Sequence, residues 1–181
     1  EHIRIAGLPG MRSLTVTISG LSKSYSVTGW RVGYAIASPE LTLAIRKVHD
    51  FLTVGAAAPM QEAGVAAMNL PPEYYRDLAA GYQERRDFLL DMLQQAGFRC
   101  CLPKGAYYLM ADIGSFRFPT DTDFNLFLAE KIGIIAVPGS SFFRKPEDGH
   151  HLLRFCFCKQ RATLEEARQR LSRLPEALAA R

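Results

Sequence analysis

The pair Pro71-Pro72 breaks one pattern and opens another, and the segment it opens divides the chain. Residues 73–96 place apolar side chains at Tyr75, Leu78, Ala79, Tyr82, Phe88, Leu89, Met92 and Leu93, with charges between them, and Gly97 stands where such a helix stops. A helix this long is the natural place for a domain junction. The 181 residues suffice for a real core and by length alone suggest one domain or one and a half. Hydrophobic content of 48% and charged content of 22% are those of a soluble globular protein, with disorder expected only at the ends.

Before the junction, residues 13–18 alternate apolar and polar over a β-branched run and predict a strand, and residues 32–37 predict a second. Ser38 and Pro39 are placed as cap and first-turn residue of a helix over 40–51. Residues 56–68 are alanine-rich, with Pro59 in the first turn of another helix. After Gly97 the pattern predicts strands at 98–102 and 106–113, a helix at 122–131, and strands at 134–137 and 152–158. A capping box from Thr163 to Glu166 predicts the start of the last helix. This order gives an α/β first part and an α+β second part.

Several function classes receive little support. The net charge of +4 is mild and the basic residues are spread along the chain, which argues against a nucleic-acid partner. No segment approaches the ~20 apolar residues of a membrane span, and the N-terminus lacks a charged region followed by a hydrophobic one. Cys100, Cys101, Cys156 and Cys158 lack Cys-x-x-Cys spacing and are expected to be small buried strand residues in a reducing cytosol. His49, His150 and His151 have no spacing partner and are expected at the surface, so no metal site is predicted. Glu1-His2-Ile3 reads as the middle of something longer.

Two places can carry chemistry. In Ser19-Gly-Leu-Ser-Lys-Ser-Tyr-Ser-Val-Thr-Gly-Trp-Arg-Val-Gly-Tyr34, Lys23 lies among small and hydroxyl side chains, with Arg31 eight residues on. Such a lysine can capture a carbonyl while hydroxyls and the planar guanidinium hold a phosphate. Gly20, Gly29 and Gly33 would allow close approach or positive φ. The plain alternative is a solvated loop with Arg31 as a surface charge. The second place is Arg154, a single cation in the apolar strand Leu152-Leu-Arg-Phe-Cys-Phe-Cys158. Burying an unpaired guanidinium is too costly to be incidental, so Arg154 either meets an internal carboxylate, the commoner case, or awaits a carboxylate ligand.

Lysine, then glycine six positions on, arginine eight on and glycine ten on is the pattern of Lys23, Gly29, Arg31 and Gly33. On these residues, with Trp30 and Tyr34, the chain resembles the pyridoxal phosphate (PLP)-dependent class I/II (fold type I) aminotransferases, and the resemblance runs in the same order over nearly the whole chain. It is nearest to the kynurenine, glutamine and methionine aminotransferase branch. The resemblance implies that residues 1–73 are the C-terminal part of the large PLP-binding domain and 74–181 the small α+β C-terminal domain. It implies Lys23 as catalytic lysine and cofactor attachment point, Arg31 and Ser22 as phosphate-binding, and Arg154 as the residue that grips the substrate α-carboxylate.

One departure stands out, since many relatives carry a serine three positions before the lysine and this chain has Gly20 there, leaving Ser22 or Ser24 to compensate. Val137-Pro-Gly-Ser-Ser-Phe142 resembles the loop that closes one side of the site in relatives, although a plain turn explains Pro138-Gly139 equally well. Pro103 to Tyr108 resembles a substrate-domain turn in which Tyr107 and Tyr108 are expected in the core. The aspartate that meets the pyridine nitrogen, the glycine-rich phosphate turn and the ring-stacking aromatic would lie upstream of Glu1. The implied activity is amino-group exchange between an α-amino acid and a 2-oxo acid, in a cytoplasmic homodimer. A PLP-dependent carbon-sulfur lyase and a non-catalytic ligand-sensing domain share the same features.

Overall fold

The computed structural model describes residues 2–181, which form two compact units, one running to Tyr75 and the other Arg76–Arg181. In the first, β1 (Thr17–Gly20) pairs antiparallel with β2 (Gly33–Ile36), from Thr17 opposite Ile36 to Gly20 opposite Gly33. The expected strand over 13–18 begins late, because residues Arg12–Leu14 take a 3-10 turn and Thr15 turns its hydroxyl back to the Met11 carbonyl at 2.7 Å. Between the strands lies the single-turn helix α1 (Leu21–Ser24). Helix α2 (Pro39–Leu52) starts as predicted, with the Ser38 hydroxyl accepting from Leu41 N and Pro39 in the first turn. Helix α3 (Ala58–Met68) comes next, with Pro59 in its first turn. Leu21 is the one large apolar residue buried in this unit among the described residues, whereas Ile18, Phe51, Leu52 and Val54 are more than 70% exposed.

Helix α4 (Pro72–Gln95) is the long helix foreseen between the two prolines and Gly97, whose φ of +90° ends it. In the second unit four strands form an antiparallel sheet in the order β3 (Arg99–Cys100), β4 (Tyr108–Asp112), β6 (Leu152–Cys156), β5 (Val137–Pro138). Leu109, Ala111, Leu153 and Phe155 point from its two central strands into the core, where they meet Leu89, Met92 and Leu93 of α4. Helix α5 (Asp121–Phe127) contributes Phe124, fully buried among the rings of Phe98, Phe116, Phe118 and Phe127.

Four expectations are corrected here. The helix over 122–131 is α-helical only to Phe127 and widens into a π-turn over Leu128–Ile132, closed by Gly133 at φ +75°. The strand over 134–137 reduces to Val137–Pro138, because Ile134 N is taken by the Leu128 carbonyl and Ala136 N by the Asn125 side chain instead of a ladder. Thr163 does not cap the next helix. Helix α6 (Arg161–Leu171) begins two residues earlier, with Thr163 N and Leu164 N both bonded to the Gln160 carbonyl, and it is succeeded by an unforeseen helix α7 (Leu174–Ala179) that buries Leu174. Among the cysteines, Cys100 and Cys156 are half-buried but Cys101 and Cys158 are exposed. Among the described residues no helix is long and apolar enough to cross a membrane, and no group of three metal-ligating side chains occurs.

Candidate active site

Residues 21–32 form a closed loop whose neck is the pairing of Gly20 with Gly33 and the bond from Leu21 N to the Val32 carbonyl, 3.1 Å. The neck is tight, since a Cβ on Gly33 would stand 2.8 Å from the Ser19 carbonyl oxygen. This is the close approach that Gly33 alone of the three loop glycines serves. None of Gly20, Gly29 and Gly33 has positive φ; the left-handed residues are Ser26 and Arg31, at 57° and 55°.

Helix α1 carries Ser22 and Lys23 and is fastened at both ends. Leu21 is 2% exposed and packs so closely on Gly64 of α3 that a Cβ there would meet its Cδ1 at 2.8 Å. At the other end the Ser24 carbonyl accepts from the Tyr74 hydroxyl at 2.6 Å, and Tyr25 stacks on Tyr74 with its hydroxyl 2.6 Å from that of Tyr75. Burial first, and then the hydrogen bond with Tyr75, push the Tyr25 phenol up to about 12. Inside the loop, the Ser22 carbonyl accepts from Val27 N and the Thr28 hydroxyl, and Arg31 closes a 3-10 turn with Nη1 donating to the Thr28 carbonyl at 3.1 Å.

The loop thus brings Ser22, Lys23 and Arg31 together on one short segment. Lys23 and Arg31 are exposed, Ser22 half-buried. The segment 21–32 holds no acidic residue, so an amine, a guanidinium and the hydroxyls of Ser22 and Ser24 form a donor set suited to a phosphorylated carbonyl compound. A Cβ at Gly29 would meet nothing within 4 Å, so the loop is open at that position. These residues fit the phosphorylated aldehyde cofactor that the resemblance implies.

The other site residue belongs to the second unit. Arg154 is the middle residue of β6, between Met110 of β4 and Val137 of β5. Strand alternation sends Leu153 and Phe155 into the core and Arg154 to the opposite face. Its guanidinium carbon lies 4.4 Å from the ring centre of Phe142 and 5.0 Å from that of Tyr108. Among the described residues no carboxylate lies within ion-pair distance of it. Of the two readings left open for Arg154, the internal ion pair is not found among the described residues, where its neighbours are aromatic rings. Tyr108, expected in the core, faces Arg154 instead, while Tyr107 does pack against the core.

Sequence reasoning missed the residues that build this second site. Phe142 ends a 3-10 turn over Gly139–Phe142, and that turn is held by Asp121, whose carboxylate accepts from Ser140 N at 2.7 Å and from Thr122 N at 3.0 Å. One helical turn on, Asn125 accepts from Ala136 N at 2.9 Å. Asp121 at a helix start reads as an ordinary first-turn acid, and no local pattern marks a bond to a residue 19 positions away.

The family description "Aminotransferase class I and II" matches residues 4–171. The chain is 34% identical to kynurenine–oxoglutarate transaminase of Dictyostelium discoideum and 34% identical to methionine aminotransferase of Escherichia coli, in each case over 96% of this chain and 45% of the relative. Its fold is similar to that of N-succinyldiaminopimelate aminotransferase from Mycobacterium tuberculosis, with a TM-score of 0.87 and 36% identity over 96% of this chain and 45% of that one. The chain spans about half the length of the curated relatives it matches.

Proposed function

The chain belongs to the class I and II aminotransferases, and from that membership we propose that it carries the cofactor lysine and the two anion-binding arginines of an enzyme that moves an amino group between an α-amino acid and a 2-oxo acid. The observation that carries this reading is the closed loop 21–32, which gathers Lys23, Ser22 and Arg31 behind a neck too narrow for any side chain at Gly33. We assign residues 1–73 to the end of the large cofactor domain and 74–181 to the small C-terminal domain.

Pyridoxal phosphate, when bound, supplies an electron-poor ring that stabilises negative charge at the substrate Cα. Lys23 Nζ attaches that group and, once freed, takes the proton from the substrate Cα and returns one on the other side of the exchange. Arg31 binds the phosphate through its planar donor fork, with the Ser22 hydroxyl as a further donor. Arg154 grips the α-carboxylate in two-point fashion and so fixes which Cα bond is presented for breaking. That no carboxylate lies within ion-pair distance of it among the described residues supports this role, because no ion pair there has to be given up before the ligand is taken. We place the chain nearest the kynurenine, glutamine and methionine branch, and the names of two relatives, a kynurenine–oxoglutarate transaminase and a methionine aminotransferase, support that placement.

We place the protein in the cytoplasm, in keeping with its four free thiols. A homodimer is proposed from the resemblance, and the exposed Phe51, Leu52 and Val54 give the first unit apolar surface to cover. The test is borohydride reduction of the intact protein with pyridoxal phosphate, then peptide mapping. A reduced adduct on Lys23 that disappears in Lys23→Ala is expected, and an adduct elsewhere refutes the assignment. Product analysis then separates the reactions: amino transfer requires a 2-oxo acid, whereas a carbon-sulfur lyase releases ammonia without one.

A further inference from the structure

Asp121 is the one fully buried charged side chain among the described residues, 0% exposed, and no cation lies within ion-pair distance of it there. A carboxylate is costly to bury and stays only where its oxygens are satisfied. Here Oδ1 accepts from Thr122 N at 3.0 Å and Oδ2 from Ser140 N at 2.7 Å. Two backbone N–H groups aimed at two different oxygens require a group that accepts at both positions. An asparagine has the right shape and the wrong chemistry, because its amide nitrogen would face one of the N–H donors.

The second of these bonds holds a turn with little slack. Gly139 and Gly149 meet backbone to backbone: a Cβ on Gly139 would lie 2.7 Å from the Gly149 carbonyl oxygen, and one on Gly149 would lie 2.6 Å from Ser140 N. Asn125 holds the entry to the turn at Ala136. Two residues beyond Ser140, the turn delivers Phe142. That ring is 49% exposed, too open to be serving as core, and its close partner is the Arg154 guanidinium at 4.4 Å.

We infer that Asp121 is a positioning residue for Arg154, acting by holding the Gly139–Phe142 turn so that the Phe142 ring fixes the plane of the guanidinium. This rests on the proposed role of Arg154 as the carboxylate-binding residue. A guanidinium fixed in plane meets a carboxylate with both donors at once, whereas a freely rotating one gives up part of that affinity to ordering. The effect belongs to substrate binding and leaves the proton transfer at Lys23 alone.

The experiment uses the intact enzyme with its cofactor and whichever of L-kynurenine, L-glutamine and L-methionine it turns over best. KM and kcat are measured for Asp121→Asn, Phe142→Leu, Phe142→Tyr, the double variant Asp121→Asn/Phe142→Leu, and Arg154→Lys. From the size of a guanidinium–ring contact, Phe142→Leu and Asp121→Asn are each expected to raise KM by up to about tenfold with kcat within about twofold. Phe142→Tyr, which keeps the ring, restores KM, and the double variant is no worse than the more impaired single one. An unchanged KM in Phe142→Leu overturns the inference even if Asp121→Asn fails to fold, and so does full additivity in the double variant. Arg154→Lys separates the two claims. If it leaves KM unchanged, the carboxylate reading itself fails; if it raises KM sharply while the Phe142 variants do not, only the positioning role fails.

Discussion

Gly20 stands where many resembling enzymes have a phosphate-facing serine, and Gly20→Ser asks whether this loop can take one. The backbone there lies at φ −132°, ψ 152°, extended geometry open to any L residue. A Cβ would meet only the Val32 carbonyl oxygen, at an ordinary 3.8 Å. As the residue capping α1, serine is at least as favourable as glycine by a few tenths of a kcal/mol. Restricting the unfolded chain adds about 0.4–1 kcal/mol. The substitution is therefore expected to stabilise the protein by about 0.5–1.5 kcal/mol before any cofactor is added. A new hydrogen bond to a charged phosphate contributes roughly 1.5–3 kcal/mol, or about 10- to 100-fold in cofactor affinity. Trp30, the single tryptophan of these 181 residues, lies within the loop, so the change in emission that is lost in Trp30→Phe tracks the cofactor titration. Urea unfolding without cofactor gives the stability. If Gly20→Ala tightens cofactor binding as much as Gly20→Ser, the hydroxyl is not touching the phosphate and the reasoning is refuted. A loss of stability in either variant would show that the space is not there. Across the neck, Gly33→Ala should cost about 1–3 kcal/mol, because its Cβ would press on the Ser19 carbonyl at 2.8 Å.

Packing and titration set the other expectations. Gly139→Ala puts a Cβ 2.6 Å from that of Leu152 and 2.7 Å from two carbonyl oxygens, and should cost at least about 2 kcal/mol in chemical denaturation, whereas Gly7→Ala, with nothing within 4 Å, should stay within about 0.5 kcal/mol of wild type. Phe124→Ala empties the centre of the ring cluster and should cost about 3–5 kcal/mol; a cost below about 1 kcal/mol would mean the rings close over the gap. Burial, then the neighbouring Cys101 and Asp112 charges, push the Cys100 thiol up to about 11. The folded chain thus keeps a proton that the unfolded chain releases near its ordinary value of 9.0, and the stability tied to Cys100 is present below that pH and lost as pH rises towards 11. Iodoacetamide at about pH 8 should label exposed Cys101 and Cys158 well before Cys100, and equal rates would contradict this.

What could be read in advance was local. Ser38, Pro39 and Gly97 mark helix ends because a cap, a fixed φ and a positive φ are properties of single residues. The loop spacing from Lys23 to Gly33 was legible for the same reason. The part of the second site that escaped is built from long-range acceptors: Asp121 reaching Ser140, Asn125 reaching Ala136, and Phe142 lying over Arg154. Each is an unremarkable residue in its own segment, and only the fold supplies its partner. The same contest decided the misread elements. Asn125 and Leu128 drew away the N–H groups that would have made 134–137 a strand, and Gln160 supplied the carbonyl that started α6 ahead of Thr163. Tyr108 was misplaced because alternation gives the period of a strand and not which face is the core.

The manner in which Arg154 is held has a bearing on how the protein responds to its surroundings. An arginine kept in place by a carboxylate competes for its ligand against that partner, and the competition shifts wherever the partner takes up a proton. Phe142 has no proton to exchange, and among the described residues no carboxylate stands within ion-pair distance of Arg154 to set up that competition. If Arg154 takes the carboxylate-binding role proposed above, that grip owes none of its pH dependence to an internal counter-ion among the described residues.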